Sequence, residues 1–123
     1  MNAHHTDPLA LSTALTAKTK QFCLGLEHGA ADILELVTPT TAELLHWWFG
    51  QDMVDARGGL NFHAGQKQAI LNAIVAHEVL GAAHLKDLYQ QVAPDALLVG
   101  TRLAEVSAPK HAHPKYCFKM ATG

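Results

Sequence analysis

Residues 57–81 constrain the fold of this chain more than any other part of the sequence. After the flexible pair Gly58-Gly59, apolar residues recur at helical spacing and cover most of the circumference of a predicted helix. These apolar residues are Ile70, Leu71, Ile74, Val75, Val79 and Leu80. A helix that is apolar on most sides is normally buried between other elements. Because its polar residues cluster at 66–68 in the first turn, the sequence predicts a core helix with a polar start that can face a ligand.

Length and composition limit what else the chain can be. Its 123 residues leave room for about one domain, and 49% apolar with 16% charged residues is typical of a globular protein. A formal net charge of −2 provides no broad basic surface, which weighs against a stand-alone nucleic-acid-binding module. No apolar run approaches the roughly 20 residues that cross a bilayer, and the first residues lack the pattern of a secretory signal. We therefore expect a cytoplasmic protein without a membrane partner, in which Cys23 and Cys117 are free thiols.

Capping signals and periodicity predict further helices before residue 38. We expect a helix over about residues 9–26, with Asp7 as its N-cap and Pro8 in its first turn. The pair His28-Gly29 is the predicted end, because glycine is the usual left-handed cap. A short helix is expected over residues 30–37.

Two more helices are predicted from a capping box and a proline. Thr40 followed by Glu43 predicts an N-terminal capping box for a helix that ends near Gly50. This helix carries consecutive aromatic residues at 47–49. Since three neighbouring side chains cannot all face one core, at least one is expected to pack against another element or a ligand. Residues 82–92 are predicted as a helix that the proline at position 94 stops.

The C-terminal part of the sequence is less regular. Residues 96–106 fit a strand or a short helix equally well, and residues 107–114 have the composition of a loop. Residues 116–120 are β-prone and predict a short strand. The sequence therefore predicts a mostly α-helical fragment with one short C-terminal strand.

The histidines do not predict a metal site, although the chain has nine of them. His77-Glu78 begins like the HExxH motif, but Gly81 occupies the position of the second histidine. His111 and His113 have no carboxylate or thiol neighbours at ligand spacing. We expect His77 to be a hydrogen-bonded core residue, and no set of residues for nucleophilic or acid–base catalysis stands out.

The last residues have the pattern with which many phosphate-binding loops open. The β-prone run is followed by Ala121-Thr122-Gly123. Such a loop needs glycines so that backbone N–H groups converge on phosphate oxygens. It then needs a lysine for the β- and γ-phosphates and a serine or threonine for magnesium. This sequence stops before those side chains, and the triplet alone is a weak motif because any loop can contain it.

Three blocks in the same order carry a resemblance to a known family. They are TPTTAELLHWWF (38–49), NFHAGQKQAILNAIVAHEVL (61–80) and HPKYCFKMATG (113–123). Together they resemble the N-terminal region of superfamily-2 DEAD/DEAH-box helicases, in particular the R (Res) subunits of type III restriction endonucleases. The joint order of the blocks and the FHxGQxxAI pattern are the specific elements. In such proteins the strand and Ala-Thr-Gly lead directly into the rest of the Walker A loop.

The resemblance implies that this chain is the leading part of an α/β, RecA-like P-loop motor. Residues 1–56 would form an N-terminal helical region, and residues 57–123 would begin the first RecA-like ATPase domain, truncated inside the Walker A loop. The intact protein would be an ATP-dependent DNA helicase or translocase, a hydrolase that uses ATP and Mg²⁺. It would act as the R subunit of a type III-like restriction-modification system, with DNA and a modification (methyltransferase) subunit as partners.

Residue by residue, the resemblance also implies nucleotide contacts. Gln66 matches the glutamine that recognises adenine, and a carboxamide can accept from adenine N6 while it donates to N7. Phe49, 17 residues earlier, matches an aromatic residue that stacks on the base in some relatives, although we favour a core position for it. Ala121, Thr122 and Gly123 match the start of the Walker A loop, where the backbone would act.

The departures from the family pattern restrict what this chain can do. It contains no Walker A lysine, no magnesium-binding threonine, no DExx box and no arginine finger, so no catalytic residue is assigned. We expect no cofactor to bind the fragment alone. A non-enzymatic helical module that binds a partner protein through its apolar and aromatic surface is the alternative. A P-loop kinase or GTPase is disfavoured because the strand and loop follow more than a hundred mostly helical residues.

Overall fold

The computed structural model describes residues 9–98, with side chains to residue 96. This part is mostly α-helical, as predicted, and it contains no strand. The helices are α1 (Ala10–Cys23), α2 (Ile33–Leu36), α3 (Pro39–Phe49), α4 (Gln51–Ala56), α5 (Ala64–Ile74), α6 (Leu85–Val92) and α7 (Pro94–Leu98). A 3-10 turn (Leu26–His28) follows α1, and a π-helical turn (Val75–Val79) continues α5. The predicted strand at 116–120 lies outside the described residues.

One apolar cluster joins α1, α2, α3, α5 and α6. α1 packs against α5 and α6, and α3 packs against α2, α4 and the 3-10 turn. The buried members are Leu15, Leu26, Ala31, Ile33, Leu45, Phe49, Leu71, Val75, Ala76, Ala82 and Leu88. Burying a large apolar side chain contributes about 1.5–3 kcal/mol, so the larger members of this cluster stabilise the fold. Its members come from both sides of residue 56, where the sequence predicts a domain boundary, and that boundary stays a prediction.

The helix predicted after Gln66 is present, and only part of its circumference is buried. Leu71, Asn72, Val75 and Ala76 are buried, whereas His77 is exposed. The expectation of a core histidine is therefore wrong. The backbone bond from Leu80 N to Val75 O, 2.8 Å long, spans five residues, so the π-helical turn changes the phase of the helix at this point.

Thr38 caps the N-terminus of α3, and the capping box predicted at Thr40 and Glu43 is wrong. Thr38 Oγ1 accepts a hydrogen bond from Thr41 N at 3.2 Å. Pro39 is the first helical residue, where its fixed φ suits a helix and its missing N–H leaves no bond unmade. The proline therefore places the N-cap of α3 two residues before the predicted one.

A hydrogen bond to the π-helical turn connects the N-terminus of α3, and a glycine follows its C-terminus. The backbone N–H of Thr38 donates to Glu78 Oε1 at 3.2 Å, which joins the start of α3 to the π-helical turn. The helix ends at Phe49 with Gly50 as its C-cap, in agreement with the end predicted near Gly50. A Cβ on Gly50 would lie 2.6 Å from the backbone oxygen of His46, so a side chain there would force the backbone to move.

The remaining boundaries agree with the sequence in type and differ in position. α1 ends at Cys23, earlier than predicted, and Gly25 then adopts a left-handed conformation with φ 84°. Gly29 is left-handed, as predicted, and ends the 3-10 turn rather than α1. The predicted start residues Asp7 and Pro8 lie outside the described residues.

The segment after the π-helical turn contains two short helices. α6 corresponds to the helix predicted over 82–92, and Leu88 is its buried residue. Pro94 does not only stop α6, because it is also the first residue of α7. In the described part of the segment that fits a strand or a helix, residues 96–98 are therefore helical. No helix between residues 9 and 98 combines the length and apolar character needed to cross a membrane.

Candidate functional site

A pocket of about 420 Å³ lies between the end of α3 and the chain that leads into α5. We call residues 57–63, which connect α4 to α5, the entry loop. The pocket is lined by Trp47, Trp48, Arg57, Leu60, Asn61, Phe62 and Gln66. Most of this lining is apolar or aromatic, with polar groups at a few positions. A volume of this size is typical of sites for small organic ligands.

Three aromatic residues line the pocket, and two of them pack against the buried Phe49 ring. The Phe62 ring lies 6.1 Å from the Trp48 ring at 84° and 5.7 Å from the Phe49 ring at 57°, measured between centroids. Such edge-to-face and tilted pairs contribute about 0.5–1.5 kcal/mol each beyond area burial. Phe49 lies beneath them with 2% of its surface exposed, and Lys67 Nζ is 5.3 Å from its ring centroid. Phe62 and Trp47, by contrast, expose 39% and 53% and offer ring surface to a ligand.

The Arg57 side chain holds the two sides of the pocket together. Its guanidinium donates to the backbone oxygens of Trp47 and Trp48, the latter at 2.9 Å. These carbonyls belong to the last turn of α3, where helix oxygens lack intrahelical partners. Arg57 Nε donates to Leu60 O at 3.2 Å in the entry loop. One guanidinium therefore satisfies the end of α3 and positions the loop that faces it.

The entry loop can turn back toward α3 because of two glycines. Gly58 and Gly59 have φ values of 72° and 85°, a region that other L-residues rarely adopt. The backbone N–H of Gly59 donates to Val54 O at 2.9 Å, so the reversal starts directly from α4. It brings Leu60, Asn61 and Phe62 to the pocket.

Side-chain hydrogen bonds hold the junction between the entry loop and α5. Gln66 Oε1 accepts from the backbone N–H of His63 at 3.2 Å, and Asn61 Oδ1 accepts from that of Phe62 at 2.8 Å. His63 Nδ1 accepts from Gly65 N at 3.2 Å, so the ring proton is on Nε2. Two amide oxygens from the pocket lining thus satisfy two consecutive backbone donors. The amide nitrogens of Asn61 and Gln66 make no hydrogen bond with the described part of the chain.

The residues that the resemblance implicates in nucleotide binding have different positions. Gln66 is exposed in the first turn of α5 and lines the pocket. Phe49 belongs to the buried cluster and touches the pocket only through Phe62 and Trp48. Ala121, Thr122 and Gly123 lie outside the described residues. The roles of all five residues in binding a nucleotide stay predictions.

Sequence reasoning did not single out Arg57, Leu60, Asn61 or Phe62 as site residues. Two signals were present in the sequence: the Gly58-Gly59 pair, which allows a reversal, and the FHxGQ pattern, which contains Phe62. Neither signal identifies the acceptors of Arg57, because they are main-chain oxygens.

Two titratable groups outside the pocket have shifted pKa values. Burial raises the pKa of the Cys23 thiol from 9.0 to about 11, and the nearby Lys67 charge opposes this shift. The thiol therefore stays protonated at neutral pH and is a poor nucleophile. The His46 imidazole, 2.9 Å from Asp52 Oδ1, lowers the pKa of the Asp52 carboxyl below 3.8. Among the residues that the structure describes, no three His, Cys, Asp or Glu side chains are grouped to hold a metal ion.

No protein-family model, curated protein or solved structure matches this chain. The functional interpretation therefore rests on the pocket and on the sequence blocks around it.

Proposed function

We propose that this chain is the N-terminal part of an ATP-dependent DNA helicase or translocase, of the kind that forms the R subunit of type III-like restriction systems. In the intact protein, ATP hydrolysis with Mg²⁺ drives movement along duplex DNA. The pocket between α3 and the entry loop receives the adenine ring. The observation that supports this proposal is the position of Gln66, an exposed carboxamide at the edge of an aromatic pocket.

The pocket has the chemistry that a purine base requires. Its apolar and aromatic surfaces, including the exposed faces of Trp47 and Phe62, suit a flat ring. Stacking on an aromatic side chain contributes about 1–3 kcal/mol per base. Phe62 is better exposed for such stacking than Phe49, which supports it from below.

Gln66 can recognise adenine without leaving its place in the helix cap. Its Oε1 accepts one bond from His63 N, and a carbonyl oxygen has a second lone pair for the N6 amino group of adenine. Its Nε2 is then available to donate to N7. Guanine carries an oxygen at position 6, so the same carboxamide orientation would bring two acceptors together. We therefore propose that Gln66 makes the site prefer ATP to GTP.

The phosphate end of the site belongs to sequence that begins at Ala121-Thr122-Gly123. Their backbone N–H groups, followed by a lysine and a magnesium-binding hydroxyl in the intact protein, would bind the phosphates. Base recognition and phosphate recognition would thus come from separate parts of the motor. The base site alone supplies orientation and no catalytic group.

The exposure of two large side chains favours a second candidate function. Trp47 exposes 53% of its surface and Leu60 exposes 75%, and both are at the pocket. Aromatic and apolar side chains of this kind are common at protein interfaces. A non-enzymatic module that binds a partner protein through this surface would need no phosphate-binding loop.

The natural reading frame distinguishes these two functions. We expect the codons after 123 to encode Thr-Gly-Lys-Thr or Thr-Gly-Lys-Ser, and the protein expressed from that frame to hydrolyse ATP faster when duplex DNA is added. Replacing the encoded lysine with alanine is the control and should abolish the activity. A stop codon after Gly123 in contiguous genomic sequence would contradict the motor and favour the interaction module.

A further inference from the structure

We propose that Asn61 is a second base-reading residue of the pocket, whose Nδ2 donates to a ring nitrogen of adenine, N1 or N3, away from the N6/N7 edge. This inference rests on the proposed adenine site and adds a residue that the family resemblance does not assign. Its basis is the hydrogen bonding of the two pocket amides, Asn61 and Gln66. In each amide the oxygen accepts from the backbone and the nitrogen does not bond to the described chain.

The side-chain oxygen of Asn61 accepts a hydrogen bond within the folded chain. Oδ1 accepts from the backbone N–H of Phe62 at 2.8 Å, within the entry loop. That bond orients the side chain and fixes which way the amide group is turned. It also holds the backbone at Phe62, whose ring forms part of the pocket.

The nitrogen of Asn61 is left for a ligand. Nδ2 is bonded to the same carbon as Oδ1, so it points away from the backbone donor that Oδ1 contacts. Asn61 is exposed and lines the pocket, and its Nδ2 has no hydrogen-bond partner within residues 9–96. Gln66 has the same arrangement, with Oε1 bonded to His63 N and Nε2 unused. The pocket therefore presents two amide donors from opposite ends of a short segment.

A purine offers separate acceptors to two separated donors. Adenine has three unprotonated ring nitrogens that accept at its edges: N1, N3 and N7. When Gln66 covers N7, a second N–H donor finds an acceptor at N1 or N3. Guanine carries a proton on N1, so contact at N1 would add to the preference for adenine, whereas contact at N3 would be shared by both purines.

The substitution Asn61→Asp tests this role because it separates the two atoms. Aspartate keeps an oxygen that accepts from Phe62 N and loses the amide donor. We would measure the dissociation constants of ATP, 1-deaza-ATP and 3-deaza-ATP for the protein expressed from its natural reading frame. In the unsubstituted protein, one deaza analogue should bind about two- to tenfold more weakly than ATP, the worth of one hydrogen bond. In Asn61→Asp that ratio should fall to about one, within the precision of such a comparison.

The added charge needs its own control. A carboxylate repels ATP and both analogues equally, so it cancels in each ratio of dissociation constants. Gln90→Glu places the same charge on an exposed position of α6 outside the pocket and should leave every ratio unchanged. Thermal unfolding checks that Asn61→Asp remains folded, as the retained oxygen predicts.

The possible results separate this inference from the proposed function. If the ratio of dissociation constants between one deaza analogue and ATP falls to about one in Asn61→Asp, the role of Asn61 is supported, and that analogue identifies the contacted nitrogen. A second result would reject only the role of Asn61. In that result, Gln66→Glu abolishes the preference for ATP over 7-deaza-ATP, whereas Asn61→Asp leaves the dissociation-constant ratios of 1-deaza-ATP and 3-deaza-ATP to ATP unchanged. The adenine site then stands, and Asn61 is not a base-reading residue. If the protein binds no ATP, or binds ATP and 7-deaza-ATP alike with and without Gln66→Glu, the adenine site fails and Asn61 fails with it.

Discussion

The core and the pocket of this chain are stabilised in different ways. In the core, Ile33, Leu45 and Val75 have no exposed surface, and apolar burial stabilises their positions. At the pocket, Trp47 and Leu60 expose more than half of their surfaces. Side chains there are positioned by hydrogen bonds with the backbone, which Arg57 donates and Asn61 and Gln66 accept. Burial therefore determines how the helices pack, whereas polar contacts determine the shape of the pocket, and each can be perturbed separately.

The largest effect is expected from a cavity in the core. Leu45→Ala on α3 should lower the free energy of unfolding by about 2–5 kcal/mol, because Leu45 is fully buried. Leu44→Ala is the matched control, since Leu44 exposes 39% of its surface and its replacement should cost about 1 kcal/mol or less. Urea unfolding followed by circular dichroism measures both values. Equal losses in the two variants would contradict the assignment of the buried face of α3.

The next effect separates the pocket from the core. Arg57→Ala should lower the free energy of unfolding by only about 1–2 kcal/mol, since its hydrogen bonds lie near solvent. It should still move the entry loop, because Leu60 O loses its donor. Both tryptophans of the chain line the pocket, so tryptophan emission reports on that movement. We expect emission at longer wavelength with unchanged helix content.

Two further variants test whether the change in emission depends on the guanidinium of Arg57. Lys20→Ala removes a positive charge from the exposed side of α1, outside the pocket, and should leave the emission unchanged. Arg57→Lys should restore the emission only partly, because one ammonium cannot reproduce the geometry of the guanidinium. Unchanged emission in Arg57→Ala would mean that the entry loop is held by other contacts.

Smaller changes in the free energy of unfolding, with opposite signs, are expected when two threonines of α1 are replaced by valine. Thr19 is fully buried, and its Oγ1 has no hydrogen-bond partner in the described structure. Thr19→Val should therefore raise the free energy of unfolding by about 1 kcal/mol, because it removes an unsatisfied polar atom. Thr16→Val is the matched control: Thr16 Oγ1 accepts from Asn72 Nδ2 at 3.1 Å, so the same replacement should cost about 1 kcal/mol. Thermal unfolding that gives both changes the same sign would contradict this contrast.

The smallest effect concerns the pair of His46 and Asp52, which joins α3 to α4. The pKa of Asp52 in the folded chain lies below its ordinary value of 3.8, first because of the hydrogen bond from His46. A carboxyl with a lowered folded-state pKa stabilises the fold above its unfolded pKa, and this contribution is lost as the pH falls through the folded value. Stability should thus decline below about pH 4, and Asp52→Asn should reduce that decline slightly because the pair is exposed.

The measurement for the ion pair is the urea midpoint between pH 5 and pH 2.5. Asp32→Asn is the control, since it removes an exposed carboxylate that makes no cap hydrogen bond in α2. A decline that is the same in Asp52→Asn and the unsubstituted chain would remove any role of the pair in acid stability.

Helix type and approximate position can be predicted from this sequence, because apolar periodicity reports directly on burial. The row through Leu71 and Val75 is visible in the pattern and is the buried face of α5. The exposure of His77 cannot be predicted in the same way. At about 3.6 residues per turn, His77 lies opposite the face of Leu71 and Val75. Because the helix is apolar on most sides, the pattern does not indicate that this opposite face is the exposed one.

The candidate site was predictable only where its residues act through a side chain of recognisable type. A polar first turn is enough to place Gln66 at the surface, where the structure has it. Arg57 could not be found by that route, since its acceptors are main-chain oxygens of Trp47 and Trp48, nine or ten residues earlier. Such contacts depend on the path of the backbone between α3 and α5, which two left-handed glycines determine.

Equilibrium binding of ATP and GTP to the Gln66→Ala variant tests the adenine site most directly. In the protein expressed from its natural reading frame, we expect the substitution to weaken ATP binding by on the order of 1–3 kcal/mol and to change GTP binding little. Gln66→Glu keeps the oxygen that accepts from His63 N, so it shows whether loss of the helix cap contributes. Equal losses for ATP and GTP in Gln66→Ala would contradict base recognition by this pocket.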